Sequence, residues 1–185
     1  DSHYAAGWHA TATIGTFGAA AGSASLMGLD ADQTAMALGI AATQAAGLKS
    51  MFGTMCKPLH AGKASENGLL AADLASRGFT SRSDALECFQ GFGFTQSETV
   101  SATAALEDLG ALFYAPRTQF KYHAACYGTH SPIEAARKAR LNASFNPANV
   151  EKIELKVHPR CLSVCNIPEP ETGLEVKFSL RHTTA

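Results

Sequence analysis

The chain has 185 residues, enough to bury a sizeable core in one or two domains. Apolar residues make up 46 % of it, which excludes wholesale disorder. A formal net charge of -1 leaves no electrostatic case for nucleic acid or for an anionic membrane surface as partner, and no apolar run is long enough to span a bilayer.

The N-terminus lacks a basic segment followed by an apolar stretch, so no signal peptide is expected. Cys56, Cys88 and Cys126 stand apart, and Cys161 and Cys165 lie four residues apart. This odd set without framework spacing points to a reducing, cytoplasmic compartment. The chain starts at Asp1 and stops at Ala185 just after a strand-like run. Both ends look cut, and an internal piece of a longer protein is expected.

Residues 12–28 are dense in small residues: Gly15, Gly18, Ala19, Ala21 and Gly22 recur at spacings of three to four. On a helix they form a smooth face for close approach of a neighbour, with Ile14, Phe17, Leu26 and Met27 supplying bulk. Asp30 with Gln33 is a capping-box-like start. A helix follows to Gly47, with Met36, Leu38, Ile40 and Ala41 inward, and residues 48–56 read as a loop hinged on Gly53. Pro58 fits the first turn of the next helix, which stops at Gly78. Lys57 and His60 then share one turn at a helix N-terminus, an arrangement that favours anions. Residues 80–88 are expected as a short helix, 89–97 as a Gly/Phe loop and 100–109 as a further helix, with a domain boundary near residue 117.

Phe120–Pro132, FKYHAACYGTHSP, holds the densest polar cluster: Lys121, Tyr122, His123, Cys126, Tyr127 and His130. It suits a base, an anion clamp, a metal site or a Cys–His nucleophile, and composition alone does not choose. His158, Cys161 and Cys165 are a second set of potential metal ligands, against a plainer reading as a strand end and a turn with buried thiols. Ser131, Pro132 and Glu134 read as N-cap, first and third residues of a helix. Val150–His158 and Leu174–Leu180 alternate apolar and polar residues, so two half-buried strands are expected. The fold class expected is mainly α: helices over 1–117, then a small α+β unit over 118–185. His9, after Gly7-Trp8 and before a helix, is a candidate acid or base.

The runs GWHATATIGTFGAAAG, KPLHAGKASENGLL, FKYHAACYGTHSPIEA and TGLEVKFSLRHTTA, in that order, closely resemble the MmgE/PrpD family, which includes 2-methylcitrate dehydratase, cis-aconitate decarboxylase and iminodisuccinate epimerase. The similarity covers essentially the whole chain. It implies part of an all-helical domain (1–117) followed by the first part of an α+β lid (118–185), and a homodimer through the helical domain. It implies a small polycarboxylate as substrate and chemistry that needs no metal and no organic cofactor.

By resemblance His9, Lys57 and Lys121 are active-site residues, with His9 the general acid or base and the two lysines pairing with substrate carboxylates. His60, Tyr122 and His130 are expected to bind substrate. Lid closure would bring Lys121 toward His9 and exclude water. A further histidine of the decarboxylase falls where this chain has Cys126, which argues against decarboxylation; the activity expected first is a dehydratase, such as one acting on 2-methylcitrate. An epimerase is the alternative within the family. A helical association module without activity of its own is the alternative outside it.

Overall fold

The computed structural model describes residues 2–185; Asp1, at which the sequence reading began, lies outside the described residues. The fold is mainly α, with ten helices among the described residues and two isolated β-bridges, Trp8–Leu48 and Asn166–Ser179. The chain divides into two compact units, one of residues 2–50 and 56–113, the other of residues 51–55 and 114–185.

The first unit is built on three helices, preceded by the short α1 (Ser2–Ala5): α2 (Ala10–Leu26), α3 (Ala31–Gln44) and α4 (Cys56–Ser76). Their shared core is nearly all alanine, with Ala20, Ala24, Ala37, Ile40, Ala41, Ala71, Ala72 and Ala75 buried together. Methyl-sized side chains let helix backbones approach closely, and the 3.6-residue period aligns Ala12, Thr16, Ala20 and Ala24 on the inward side of α2. The small-residue face expected over Gly15–Gly22 is packed only in part: Gly15 and Ala19 lie against Ala64 and Gly68 of α4, while Gly18, Ala21 and Gly22 are exposed on the other side of the helix. Ile14, Leu26 and Met27, expected as core bulk, are also exposed. The glycine that α2 does require is on its neighbour: a Cβ at Gly68 of α4 would stand 2.6 Å from the Ala20 nitrogen.

Asp30 and Gln33 form the expected capping box on α3, with Gln33 N–H donating to Asp30 Oδ1 at 2.8 Å and Asp30 N–H donating to Gln33 Oε1 at 3.2 Å. At the other end Asn67 Nδ2 of α4 donates to the Gln44 carbonyl at 3.2 Å, satisfying one of the open carbonyls there. Pro58 lies in the first turn of α4, and Gly78 follows its end at φ +84°.

The helix expected over 80–88 is a series of turns. Ser81 Oγ donates to the Met36 carbonyl at 2.9 Å, and the segment crosses α3 at Gly39, where a Cβ would stand 2.6 Å from the Arg82 carbonyl oxygen. Side-chain bonds to distant backbone displace the local helix. The loop expected over 89–97 instead holds a helix, α5 (Phe92–Gln96), seated because Phe92 packs edge-on against Phe17 and His3 Nδ1 bonds the Gln96 carbonyl at 2.9 Å. The helix expected over 100–109 is shorter, α6 (Ala102–Leu106), with Ser101 as its cap.

The second unit contains α7 (His130–Arg140), α8 (Pro159–Val164), α9 (Gly173–Val176) and α10 (Leu180–Thr184). Its core gathers Cys165, Phe178 and Leu180, with Phe52, Leu155, Val157 and Ile167 against them. Two expectations fail here. Val150–His158 forms no strand among the described residues, and Val150 and Ile153 are exposed while Leu155 and Val157 pack inward. Alternation marks a half-buried extended segment; it becomes a strand only when a neighbour accepts its backbone groups. Leu174–Leu180 is not a strand either. Thr172 and Glu175 form a capping box and Ser179 Oγ accepts from the His182 N–H, so the segment folds as the end of α9 and the start of α10. The start of α7 also moves. The helix begins at His130, behind a 3₁₀ turn over Tyr127–Thr129, and Ser131 is not its cap.

Candidate active site

In the first unit the chain approaches α2 through Gly7-Trp8-His9. The His9 N–H donates to the Gly47 carbonyl at 2.9 Å and the Lys49 N–H donates to the Gly7 carbonyl at 2.8 Å, pinning this entry to the segment after α3. The Ala12 and Thr13 N–H groups donate to the His9 carbonyl at 2.8 and 3.1 Å. With both backbone groups bonded, His9 is held at the N-terminus of α2, only 7 % exposed. Gly47, at φ +153°, is where the chain squeezes past: a Cβ there would collide with Ala12 and reach within 3.3 Å of the His60 ring.

His60 projects from the second turn of α4, and its Nδ1 meets His9 Nδ1 at 2.8 Å, with the rings tilted by 50°. Lys57 is one turn earlier on the same helix. Burial, then the neighbouring His60, then the Lys57 ammonium push the His9 imidazole down to about 4. Burial and Lys57 lower His60 in the same direction. Both shifts favour the uncharged imidazole. Such a pair can accept or donate a proton without carrying charge of its own, and Lys57 supplies positive charge beside it.

In the second unit an open cleft of about 770 Å³ is lined by Lys121, Tyr122, His123, His130 and Glu134 among others. Lys121 Nζ donates to the Ala125 carbonyl at 3.1 Å, and Tyr122 is 95 % exposed. His130 lies between His123 and Tyr127, with ring centroids 5.2 and 5.0 Å away. Its Nε2 is buried and has no hydrogen-bond partner among the described residues. Glu134 Oε1 meets His123 Nε2 at 2.8 Å and accepts from Arg137 at 2.9 Å, and its carboxyl is held below the usual range first by His123 and then by Arg137. Glu134, expected as the third residue of a helix capped by Ser131, instead makes this pairing, which its place in the sequence does not show. Only the turn that folds residues 123–129 back on α7 brings His123 to it.

No group of three His, Cys, Asp or Glu side chains among the described residues is arranged to hold a metal ion. His158, which the sequence offered as a potential ligand beside a plainer reading, accepts from the Arg160 N–H at 3.1 Å and caps α8. Cys126 packs into the core of the second unit and does not line the cleft. No helix among the described residues is long and apolar enough to cross a membrane.

Residues 1–103 match the family model of the MmgE/PrpD N-terminal domain, and residues 123–185 match that of the C-terminal domain. The chain belongs to the MmgE/PrpD family. It is similar to the cis-aconitate decarboxylase of Aspergillus terreus, 32 % identical over 97 % of this chain and 40 % of that protein. It is similar to the cis-aconitate decarboxylase of Homo sapiens, 30 % identical over 95 % of this chain and 37 % of that protein. A cis-aconitate decarboxylase-like protein, oryM, of Aspergillus oryzae is 35 % identical over 74 % of this chain and 30 % of that protein. The chain thus spans about two-fifths or less of the length of these relatives.

Of the candidate site residues, His9, Lys57 and His60 come together in the first unit, although Lys57 lies 48 positions after His9. Lys121, Tyr122 and His130 come together around the cleft of the second. Nothing in their spacing announced that His9 and His60 would share a hydrogen bond. The signal in hindsight is the glycine at 47, which the close passage demands.

Proposed function

We propose that this chain is part of a cofactor-independent lyase of the dehydratase type, acting on a small di- or tricarboxylate such as 2-methylcitrate. The observation that carries the reading is the buried, neutral His9 bonded to His60 with Lys57 a turn away. A hydrogen next to a carboxylate is acidified when cations hold that carboxylate, because charge develops there as the proton leaves. His9 takes the proton or returns it, Lys57 and Lys121 pair with substrate carboxylates, and His60, Tyr122 and His130 contribute polar contacts. This chemistry calls on neither a metal nor an organic cofactor.

A second reading is decarboxylation of cis-aconitate, favoured by the names of the relatives. There the bond broken is to CO2 and the same acid would protonate the carbanion. Against it stands Cys126, which occupies the position where the resemblance places a further decarboxylase histidine and which packs into a core.

The test is a substrate screen on the full-length protein, followed by NMR in deuterated water. Loss of water from 2-methylcitrate with formation of an alkene supports the dehydratase. Release of CO2 from cis-aconitate selects the second reading. Solvent deuterium entering unreacted substrate with no alkene overturns both in favour of an epimerase. The same reading includes a cytoplasmic homodimer. The exposed Leu59, Leu69 and Leu70 of α4 provide apolar surface for a partner, and sedimentation of the full-length protein as a monomer would remove this part of it.

A further inference from the structure

We propose that His9 and His60 act as one neutral, proton-sharing pair, in which His60 sets which nitrogen of His9 carries the proton and itself serves as the second acid–base group. The inference deepens the lyase reading and, for its effect on turnover, rests on it.

The argument starts from proton counting. Two imidazole nitrogens 2.8 Å apart must have one hydrogen between them. The ring that donates Nδ1–H has a bare Nε2. The ring that accepts must, if neutral, carry its own hydrogen on Nε2. The pair therefore always holds one base and one acid, and neither ring has a net charge. Neither can rotate away freely. His9 is fixed by three backbone hydrogen bonds and is almost fully buried, and the His60 ring lies against the backbone of Gly47. Of the charged groups acting on His9, the neighbouring His60 and Lys57 both disfavour its cationic form. Lys57 is a cation on the same helix as His60, Lys49 Nζ donates to the Tyr4 carbonyl, and His3 Nε2 bonds the Thr13 hydroxyl.

Dehydration needs a base at carbon and an acid at the departing oxygen, and a pair of this kind supplies both. The substrate C–H bond breaks with its electrons left on carbon, and the proton adds to the bare Nε2. The Nδ1 hydrogen of that ring crosses to the facing Nδ1. The second ring releases its Nε2 hydrogen to the hydroxyl, which departs as water with the C–O electron pair while the pair left on the neighbouring carbon forms the C=C bond. The pair ends neutral, with its two tautomers exchanged, and proton exchange with water restores the starting arrangement.

The experiment is long-range 1H–15N correlation of the histidine rings in 15N-labelled full-length protein at pH 7, on the wild type and on His60→Phe and His60→Gln. The expected result is one Nδ1–H ring, one Nε2–H ring and a slowly exchanging proton shared between them, lost in His60→Phe. Both rings as Nε2–H tautomers, or either as imidazolium, would overturn the proposal with no need for turnover or for a folded variant. On the substrate found by the screen, His60→Phe should lower kcat by about 100-fold or more, in the range of a lost acid–base function, and shift the acid limb of kcat/KM to higher pH. His60→Gln should recover part of kcat. A rise in KM with kcat and the pH profile intact would show that His60 only binds substrate. Failure to find any substrate would sink the lyase reading and leave the ring spectra to decide the pair.

Discussion

Gly68 of α4 lies so close against α2 that a methyl group there would stand 2.6 Å from the Ala20 nitrogen and 2.8 Å from the Ala19 carbonyl carbon. Both obstacles are backbone, which cannot turn aside as a side chain would. Gly68→Ala should therefore destabilise the protein by about 1–3 kcal/mol, despite the roughly 1 kcal/mol of helix propensity that alanine brings. Gly18→Ala and Gly22→Ala, where nothing lies within 4 Å, should each raise stability by about 0.5–1 kcal/mol. Urea denaturation of the three variants tests the contrast. Equal effects at positions 18 and 68 would refute the assigned helix faces.

His9 makes stability depend on pH in a definite sense. Its pKa falls from the ordinary 6.5 to about 4 on folding, so the unfolded chain binds the proton more tightly. Above pH 6.5 neither state is charged at this site and there is no effect. As the pH drops from 6.5 toward 4, stability falls by roughly 3 kcal/mol through this residue alone. The stability curve of His9→Asn should be flatter across that window, measured by denaturation at stepped pH.

His9→Ala and Lys57→Ala in the full-length protein should each abolish measurable turnover on the substrate identified above while circular dichroism stays that of the wild type. A kcat near the wild-type value in either variant would remove that residue from the proposed chemistry.

Asp30→Ala removes the acceptor for the Gln33 N–H at the start of α3 and should cost about 1 kcal/mol. Asp30→Ser should restore most of it. Thermal melts of the pair decide whether the cap or the charge matters.

Cys126→Ser should leave kcat within about twofold, since the thiol lies in a core and not along the cleft. Its cost belongs to stability, because a hydroxyl there has to be desolvated. A collapse of kcat in a folded variant would revive a catalytic thiol.

The sequence by itself determined the features whose cause is local. The capping box at Asp30, the helix started near Pro58 and ended by Gly78, and the mainly α character all follow from residues within a few positions of one another. The box at Thr172 and Glu175 has an equally local cause, although residues 174–180 alternate like a strand. The family, too, could be read from ordered motifs.

Tertiary structure decided the rest. Which side of α2 is buried depends on where α4 lies, so exposed Gly18 and buried Ala20 cannot be told apart from composition. Whether residues 150–158 form a strand depends on a neighbour to pair with. And the meeting of His9 with His60, 51 positions apart, comes from α2 and α4 packing through alanine and Gly68 until two rings on different helices are within one hydrogen bond. Local propensity acts over a few residues, while a shared proton requires placement to a fraction of an ångström that only the packed helices provide.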